Sequence, residues 1–221
     1  MFTKPIHTKL LYLAILAAAL LLPWYVPDAY IFQIVIMSVL YAVAASGMNL
    51  ILGFTGQVTL AHGAFFGIGA YGVAIMTKAG ISFWLALPVS ALIAAFIALL
   101  IGLPTLRTRG AYFAIVTLCF GVIVWIVSGN WIELTGGHNG IFGIPRPSPI
   151  PVPFFGQIEF FSQTGMYYLA LVVLLLVLFA LYRLVYSVFG LTFMAVRNNE
   201  PLADSVGINT YTTKLVSFVA G

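Results

Sequence analysis

The sequence predicts an all-α integral membrane protein, a polytopic helical bundle, and three observations carry that expectation. Mean hydropathy is +1.12, with 62% of the 221 residues hydrophobic and only 6% charged, far from the usage of soluble domains. The nine basic and five acidic residues leave neutral stretches at 10–27, 29–77, 79–106, 110–132 and 160–182. A helix crosses the hydrocarbon with about 20 apolar residues, so the second stretch holds two crossings and each of the others one. These stretches also lack the polar alternation of barrel strands, and lipid leaves the backbone no other way to satisfy its hydrogen bonds than a helix.

Taken in order, the spans fall near 10–26, 30–52, 58–77, 83–103, 111–127 and 166–182, six complete crossings. The first follows Lys4 and Lys9 in the manner of a secretory signal. Its small-x-small site, Ala17 and Ala19, lies inside the apolar run, so it reads as an uncleaved span. A start near Thr212 opens a seventh span that stops at Gly221, which reads as a truncated helix in a C-terminally truncated fragment. The single Cys119 falls within the fifth span, allows no intrachain disulfide and reads as a small packing residue. With the N-terminus in the cytoplasm, Lys4, Lys9, Arg107, Arg109, Arg183, Arg197 and Lys214 lie inside and only Lys78 and Arg146 outside, as the positive-inside rule asks. The net charge of +4 thus reflects membrane topology, and no nucleic-acid partner is expected.

One membrane domain, 1–221, is expected, with two polar connections that stand out. The connection 130–165, external in this orientation, contains Gly136, Gly137 and Gly140 and then prolines at 145, 147, 149, 151 and 153. Alternating proline blocks helix and favours an extended path. Loops this long serve either as plain connectors or as contact surfaces. The segment 187–211, cytoplasmic in this orientation, concentrates Arg197, Glu200 and Asp204 between apolar stretches. Asn198 or Asn199 is placed to cap a short helix, Glu200 and Pro201 suit its first turn, and Gly207 suits the left-handed residue that ends it. A short polar helix held between spans is expected to dock on a protein in the water phase rather than lie on lipid headgroups, because Leu202, Ala203 and Val206 are thin apolar content for the latter.

Two further clusters are weighed. Gly67, Gly69 and Gly72 spell GIGAYG, a formal dinucleotide fingerprint, but no strand precedes it and no acid follows until Glu133. With Gly63, these glycines read instead as a close helix-packing stripe. Asn49, Gln57, Thr59 and His62 cluster in NLILGFTGQVTLAH, which Gly53 and Gly56 interrupt, so a tight turn or broken helix is expected there. Polar groups at membrane depth face a bundle interior or a translocation pathway; the competing reading is that Gln57 and Thr59 cap the third span. No metal-ligand spacing accompanies His62. No acid lies within a span, and no Gly-Lys dipeptide supplies a P-loop, so energy for uphill transport is expected from a partner.

Four stretches, NLILGFTGQVTLAHGAFFGIGAYG, LRTRGAYFAIVTLCFG, LTGGHNGIFGI and FGLTFMAVRNNEPLADSVGINTYTTKLVSFVAG, resemble the permease subunits of ABC importers, in particular the LivM-type branched-chain amino-acid permeases. The resemblance implies a subunit of the bacterial or archaeal cytoplasmic (inner) membrane that is not itself an enzyme. It would be partnered by a second related permease, two cytoplasmic ATPases that hold ATP and Mg, and an external substrate-binding protein. It further implies that Arg197, Asn198, Asn199, Glu200, Ala203, Asp204 and Gly207 form the ATPase-coupling segment, with the family's Ala-x-x-x-Gly spacing at Ala203 and Gly207. Where family members often carry an acid and a base after the Phe-Gly at 120–121, this chain has Val122 and Trp125. A permease for urea or short amides is a variant within the family. A sodium-coupled secondary carrier, with the ion on the carbonyls of a broken helix, is the alternative from another class.

Overall fold

In the computed structural model, residues 6–25, 28–108, 110–152, 156–158, 160 and 162–221 are described. Lys4, Arg109 and Glu159 lie outside them. Ten helices follow in order: α1 (Ile6–Tyr25), α2 (Ala29–Met48), α3 (His62–Lys78), α4 (Phe83–Thr105), α5 (Ala111–Asn130), α6 (Ile132–Thr135), α7 (Gln163–Val185), α8 (Val188–Asn198), α9 (Glu200–Ser205) and α10 (Thr210–Ala220). A π-helical stretch, Asn49–Phe54, continues α2. Four of these segments are long and apolar enough to cross a membrane: Ala29–Phe54, Phe83–Thr105, Ala111–Asn130 and Gln163–Val185.

The difference from six long spans lies in α1 and α3. α3 has 17 residues and starts at His62 rather than near 58, because residues 56–61 leave the helix. The expected all-α chain also carries a small ribbon. Ile150–Val152 (β1) pairs antiparallel with Gly156–Ile158 (β2), Ile150 opposite Ile158. Pro151 sits there without penalty, since a two-stranded ribbon has an open edge on each strand. The connection before it opens with α6 and a single 3-10 turn, Gly137–Asn139, and α7 begins at Gln163.

Local chemistry sets several boundaries. Asp28 caps α2 by accepting from the Tyr30 amide at 2.8 Å, and Ser162 caps α7 through the Gly165 amide at 3.0 Å. Two apolar seams organise the bundle. Phe32 and Ile36 of α2 bury against Tyr167 and Leu171 of α7, where the Tyr167 and Tyr168 hydroxyls also donate to the α1 carbonyls of Ala19 and Leu20 at 2.7 and 3.1 Å. At the other end Ile51, Ala98, Leu106, Phe113 and Phe218 join α2, α4, α5 and α10. α10 packs closely on α4, where a Cβ on Gly102 would lie 2.8 Å from Leu215 Cδ1, and the Tyr211 hydroxyl donates to the Leu103 carbonyl at 2.6 Å.

Outside these seams large apolar side chains face outward. Ile115, Leu118, Ile123, Trp125 and Ile126 are exposed along α5, and Cys119 sits on that exposed surface rather than packed inside the chain. A surface this apolar belongs in lipid or against another subunit.

Candidate functional site

The polar residues singled out in the sequence gather at one end of the bundle, where α2 stops, α3 starts and α8 to α10 return. The π-helical turns at Asn49–Phe54 end α2 irregularly and leave its last carbonyls without helical partners. Side chains and backbone from elsewhere take them up. The Ile51 carbonyl accepts from the Thr55 hydroxyl at 2.6 Å and from the Gln57 amide at 3.2 Å. The Gly53 carbonyl accepts a hydrogen bond from Arg197 Nη1. Gly56 then turns the chain at φ +71°, a left-handed conformation that glycine adopts without strain. A Cβ there would also stand 3.1 Å from Arg197 Cγ, so the glycine leaves room for the arginine stem.

Beyond this turn, residues 56–61 run without helix, fastened by three further contacts. Thr55 and Ser217 share a buried hydroxyl–hydroxyl bond of 2.9 Å. Gln57 Nε2 donates to the Lys214 carbonyl at 3.4 Å, and the Leu60 amide donates to Thr117 Oγ1 of α5 at 3.1 Å. Gln57 is buried and its Oε1 has no partner among the described residues. Thr59 is almost fully buried, with its hydroxyl accepting from the Ala61 amide at 3.3 Å. His62 opens α3 and lies against the α2 backbone at Ala44 and Gly47. Asn49, by contrast, is exposed at the start of the π-helical stretch, in a groove with Tyr182 of α7 and Tyr186 just after it. Gln57 thus faces α10, Thr59 is buried within the break and His62 faces α2, while Asn49 is exposed beside Tyr182.

The segment 197–207 takes the form its residues predict. Asn199 ends α8 with its amide on the Ala195 carbonyl at 3.1 Å and caps α9 with Oδ1 on the Leu202 amide at 3.1 Å. Pro201 occupies the first turn. The Gly207 amide bonds the Asp204 carbonyl and the Ile208 amide the Ala203 carbonyl, both at 3.0 Å, with Gly207 at φ +86°. That is a Schellman ending.

α9 has two distinct sides. Ala203 is buried, and Glu200 turns inward to an ion pair of 2.6 Å with Lys214, whose side chain is 13% exposed. Leu202 and Val206, at 61% and 69% exposure, face outward with Asp204, Ser205 and Gly207. Asn198 is exposed at the rim. Between α9, the break and the loop before α5 lies a cavity of about 760 Å³ lined by Gln57, Thr108, Arg197, Asn198, Glu200 and Lys214 among others.

Of the glycine stripe, Gly72 meets α4, where a Cβ would stand 2.8 Å from Ser90 Cβ. A Cβ on Gly63, Gly67 or Gly69 would have nothing within 4 Å, so the close packing expected of them is not made among the described residues.

The family model for the permease component of branched-chain amino acid transport systems matches residues 30–221. The chain belongs to that permease family. It is 35% identical, over 96% of its own length, to the high-affinity branched-chain amino acid transport system permease protein LivM of Salmonella typhimurium and of Escherichia coli. It is 28% identical, over 84% of its length, to a probable branched-chain amino acid transport permease protein LivH of Methanocaldococcus jannaschii. The chain spans 54% of the length of the LivM proteins and 59% of the LivH protein, so about half of each. No solved structure matches it. This member of the branched-chain amino-acid permease family has four helical segments among its described residues that are long and apolar enough to cross a membrane.

Sequence reasoning missed Lys214, Thr117 and Ser217. Ser217 and Lys214 read as the start of one more apolar span, and Thr117 as one hydroxyl in an apolar run. A hydroxyl or ammonium that faces apolar surroundings was the signal available for each, since such groups need partners.

Proposed function

We propose that this chain is a membrane-spanning permease subunit of an ATP-driven importer for branched-chain or related amino acids in a bacterial or archaeal inner membrane. Six crossings, α1, α2 with its π-helical end, α3, α4, α5 and α7, would alternate in direction, and the end carrying α8 and α9 would face the cytoplasm. α10 would begin a seventh. ATP and Mg reside in two partner ATPases, a second related permease completes the pathway, and an external binding protein delivers substrate to the opposite end, near residues 130–162.

The observation that carries this reading is the outward side of α9. Leu202, Asp204 and Val206 project from a capped, six-residue helix that is fixed at both ends, the shape of a plug for a cleft in another protein. Glycine-capped rigidity lowers the ordering cost of such docking. Gln57, Thr59 and His62 at the break are proposed to line or control the inner end of the pathway.

The sodium-carrier reading fares worse at the break. The carbonyls that would hold an ion there, Ile51 and Gly53, are engaged by Thr55, Gln57 and Arg197.

Uptake of leucine into vesicles that contain the assembled transporter tests the proposal. Dependence on ATP on the α9 side, together with crosslinks from cysteines at Asp204 or Val206 to a nucleotide-hydrolysing subunit, is the expected result. Uptake driven by a sodium gradient alone, or access to these cysteines only from the outside, would overturn it.

A further inference from the structure

Arg197 and Glu200 belong to the segment expected to dock on an ATPase, yet both side chains turn back into their own chain. We propose that Arg197 and the Glu200–Lys214 pair are positioning residues that fasten α9 to the break between α2 and α3, so that α9 and residues 53–61 move as one body. The inference deepens the reading of the chain as an ATPase-driven permease and rests on it.

The argument is a closed ring of contacts. Glu200 at the start of α9 holds Lys214 of α10 at 2.6 Å. The carbonyl of that same Lys214 accepts from Gln57 in the break. One helical turn further along α10, Ser217 holds Thr55, the first residue of the break, at 2.9 Å. Arg197, three residues before Glu200, closes the ring on the Gly53 carbonyl. No loop separates α8 from α9, because Asn199 ends one and caps the other. A push on the outward side of α9 therefore reaches Gly53 and Gln57 without crossing a flexible joint.

Electrostatics favours the same design. A guanidinium on the carbonyl end of α2 meets the negative end of the helix dipole. The bond gives a partner to one of the carbonyls that a helix end leaves without one. Gly56 is shaped for it, since a Cβ there would crowd the arginine stem.

On the far side the break is tethered to α5 through Thr117 and continues into His62 and α3. Displacement of the ring thus acts on α3, into which the break continues, as well as on the end of α2. A residue that contacts only the ATPase would have no need of these inward partners.

The test uses the assembled transporter in vesicles. Glu200→Lys and Lys214→Glu are each expected to lower leucine uptake about tenfold, within the usual range of coupling energies, and the double exchange to restore most of it. A double variant no better than the singles would overturn the proposal, since an ion pair with the ATPase would not be repaired by changing Lys214.

A second measurement leaves the ring intact. Spin labels on Ser205 and Val58 are expected to keep their separation between nucleotide-free and ATP-trapped states, while labels on Val58 and Lys78 change theirs. A Ser205–Val58 distance that varies through the cycle while Val58–Lys78 stays fixed would overturn it. Failure of the underlying reading looks different: the unaltered transporter would show no ATP-dependent uptake at all.

Discussion

In its first half α2 packs as an ordinary bundle helix, with Phe32 and Ile36 buried against Tyr167 and Leu171 and the Phe32 and Tyr167 rings 5.6 Å apart. At its other end the same helix widens into π-helical turns. Ile51 there still packs in an apolar cluster, but polar fastenings from far along the chain, Arg197 on Gly53, Ser217 on Thr55 and Lys214 on Gln57, hold that end and the residues just after it. Close-packed apolar seams lose their contacts together when they shift and so hold one arrangement. Hydrogen bonds to hydroxyls, amides and carbonyls can be exchanged one partner at a time. The contrast assigns the first half of α2 to the fixed frame of the molecule and the second to its working end.

The strongest way to break that division is Phe32→Ala. Removing a ring that is 5% exposed is expected to cost about 3–5 kcal/mol, read as a lower unfolding midpoint in detergent. Uptake per correctly folded transporter is expected to stay near the unaltered level. If it falls in proportion instead, the α2–α7 seam takes part in the cycle and the division is wrong.

A pair of glycines sharpens the comparison at lower energy. Gly56 and Gly80 both have positive φ, +71° and +89°, but only Gly56 has a neighbour, Arg197, in the way of a Cβ. Alanine at either position should lower stability by about 1–2 kcal/mol from backbone strain. Uptake is expected to fall markedly for Gly56→Ala and little for Gly80→Ala. Equal losses of uptake would mean that the arginine stem is not what the glycine protects.

The same contrast explains what was legible in the sequence. α9 could be read residue by residue, because its cap at Asn199, its Pro201 first turn and its Gly207 ending are decided within a few positions. The apolar seams could be placed by hydropathy. The start of α3 was read too early, because Val58 and Leu60 look like membrane sequence. Leu60 instead gives its amide to the hydroxyl of Thr117, 57 positions away. The bond from Arg197 is not legible in the sequence, since nothing near it marks a carbonyl 144 positions earlier as its acceptor. The ribbon at 150–158 was hidden by proline, which reads as strand-breaking although an edge position accepts it.

Helix caps offer a finer probe of the working end. Asn199→Ala removes the cap of α9 and is expected to cost about 1 kcal/mol. Ser162→Ala removes the equivalent cap of α7 at the opposite end. Amide hydrogen exchange at residues 202–205 should quicken for the first and not for the second. Uptake should fall only when the joint between α8 and α9 loosens. A quickening at 202–205 with full uptake would show that this joint does not need to be stiff.

The smallest expected effect tests whether the polar fastenings act as exchangeable contacts. Ser217→Ala deletes one partner of a buried pair, but Thr55 keeps its 2.6 Å bond to the Ile51 carbonyl. The remaining hydroxyl is thereby not left as an orphan, so the loss is limited to about 0.5–1 kcal/mol. Thr55→Val removes the bond to Ile51 as well and leaves Ser217 buried without its partner. It is expected to cost more than Ser217→Ala in a denaturant titration of the detergent-solubilised protein. A reversal of that order would mean that the α10 hydroxyl, not the Ile51 carbonyl, is the main anchor of Thr55, and that α10 holds the break more tightly than α2 holds its own last turn.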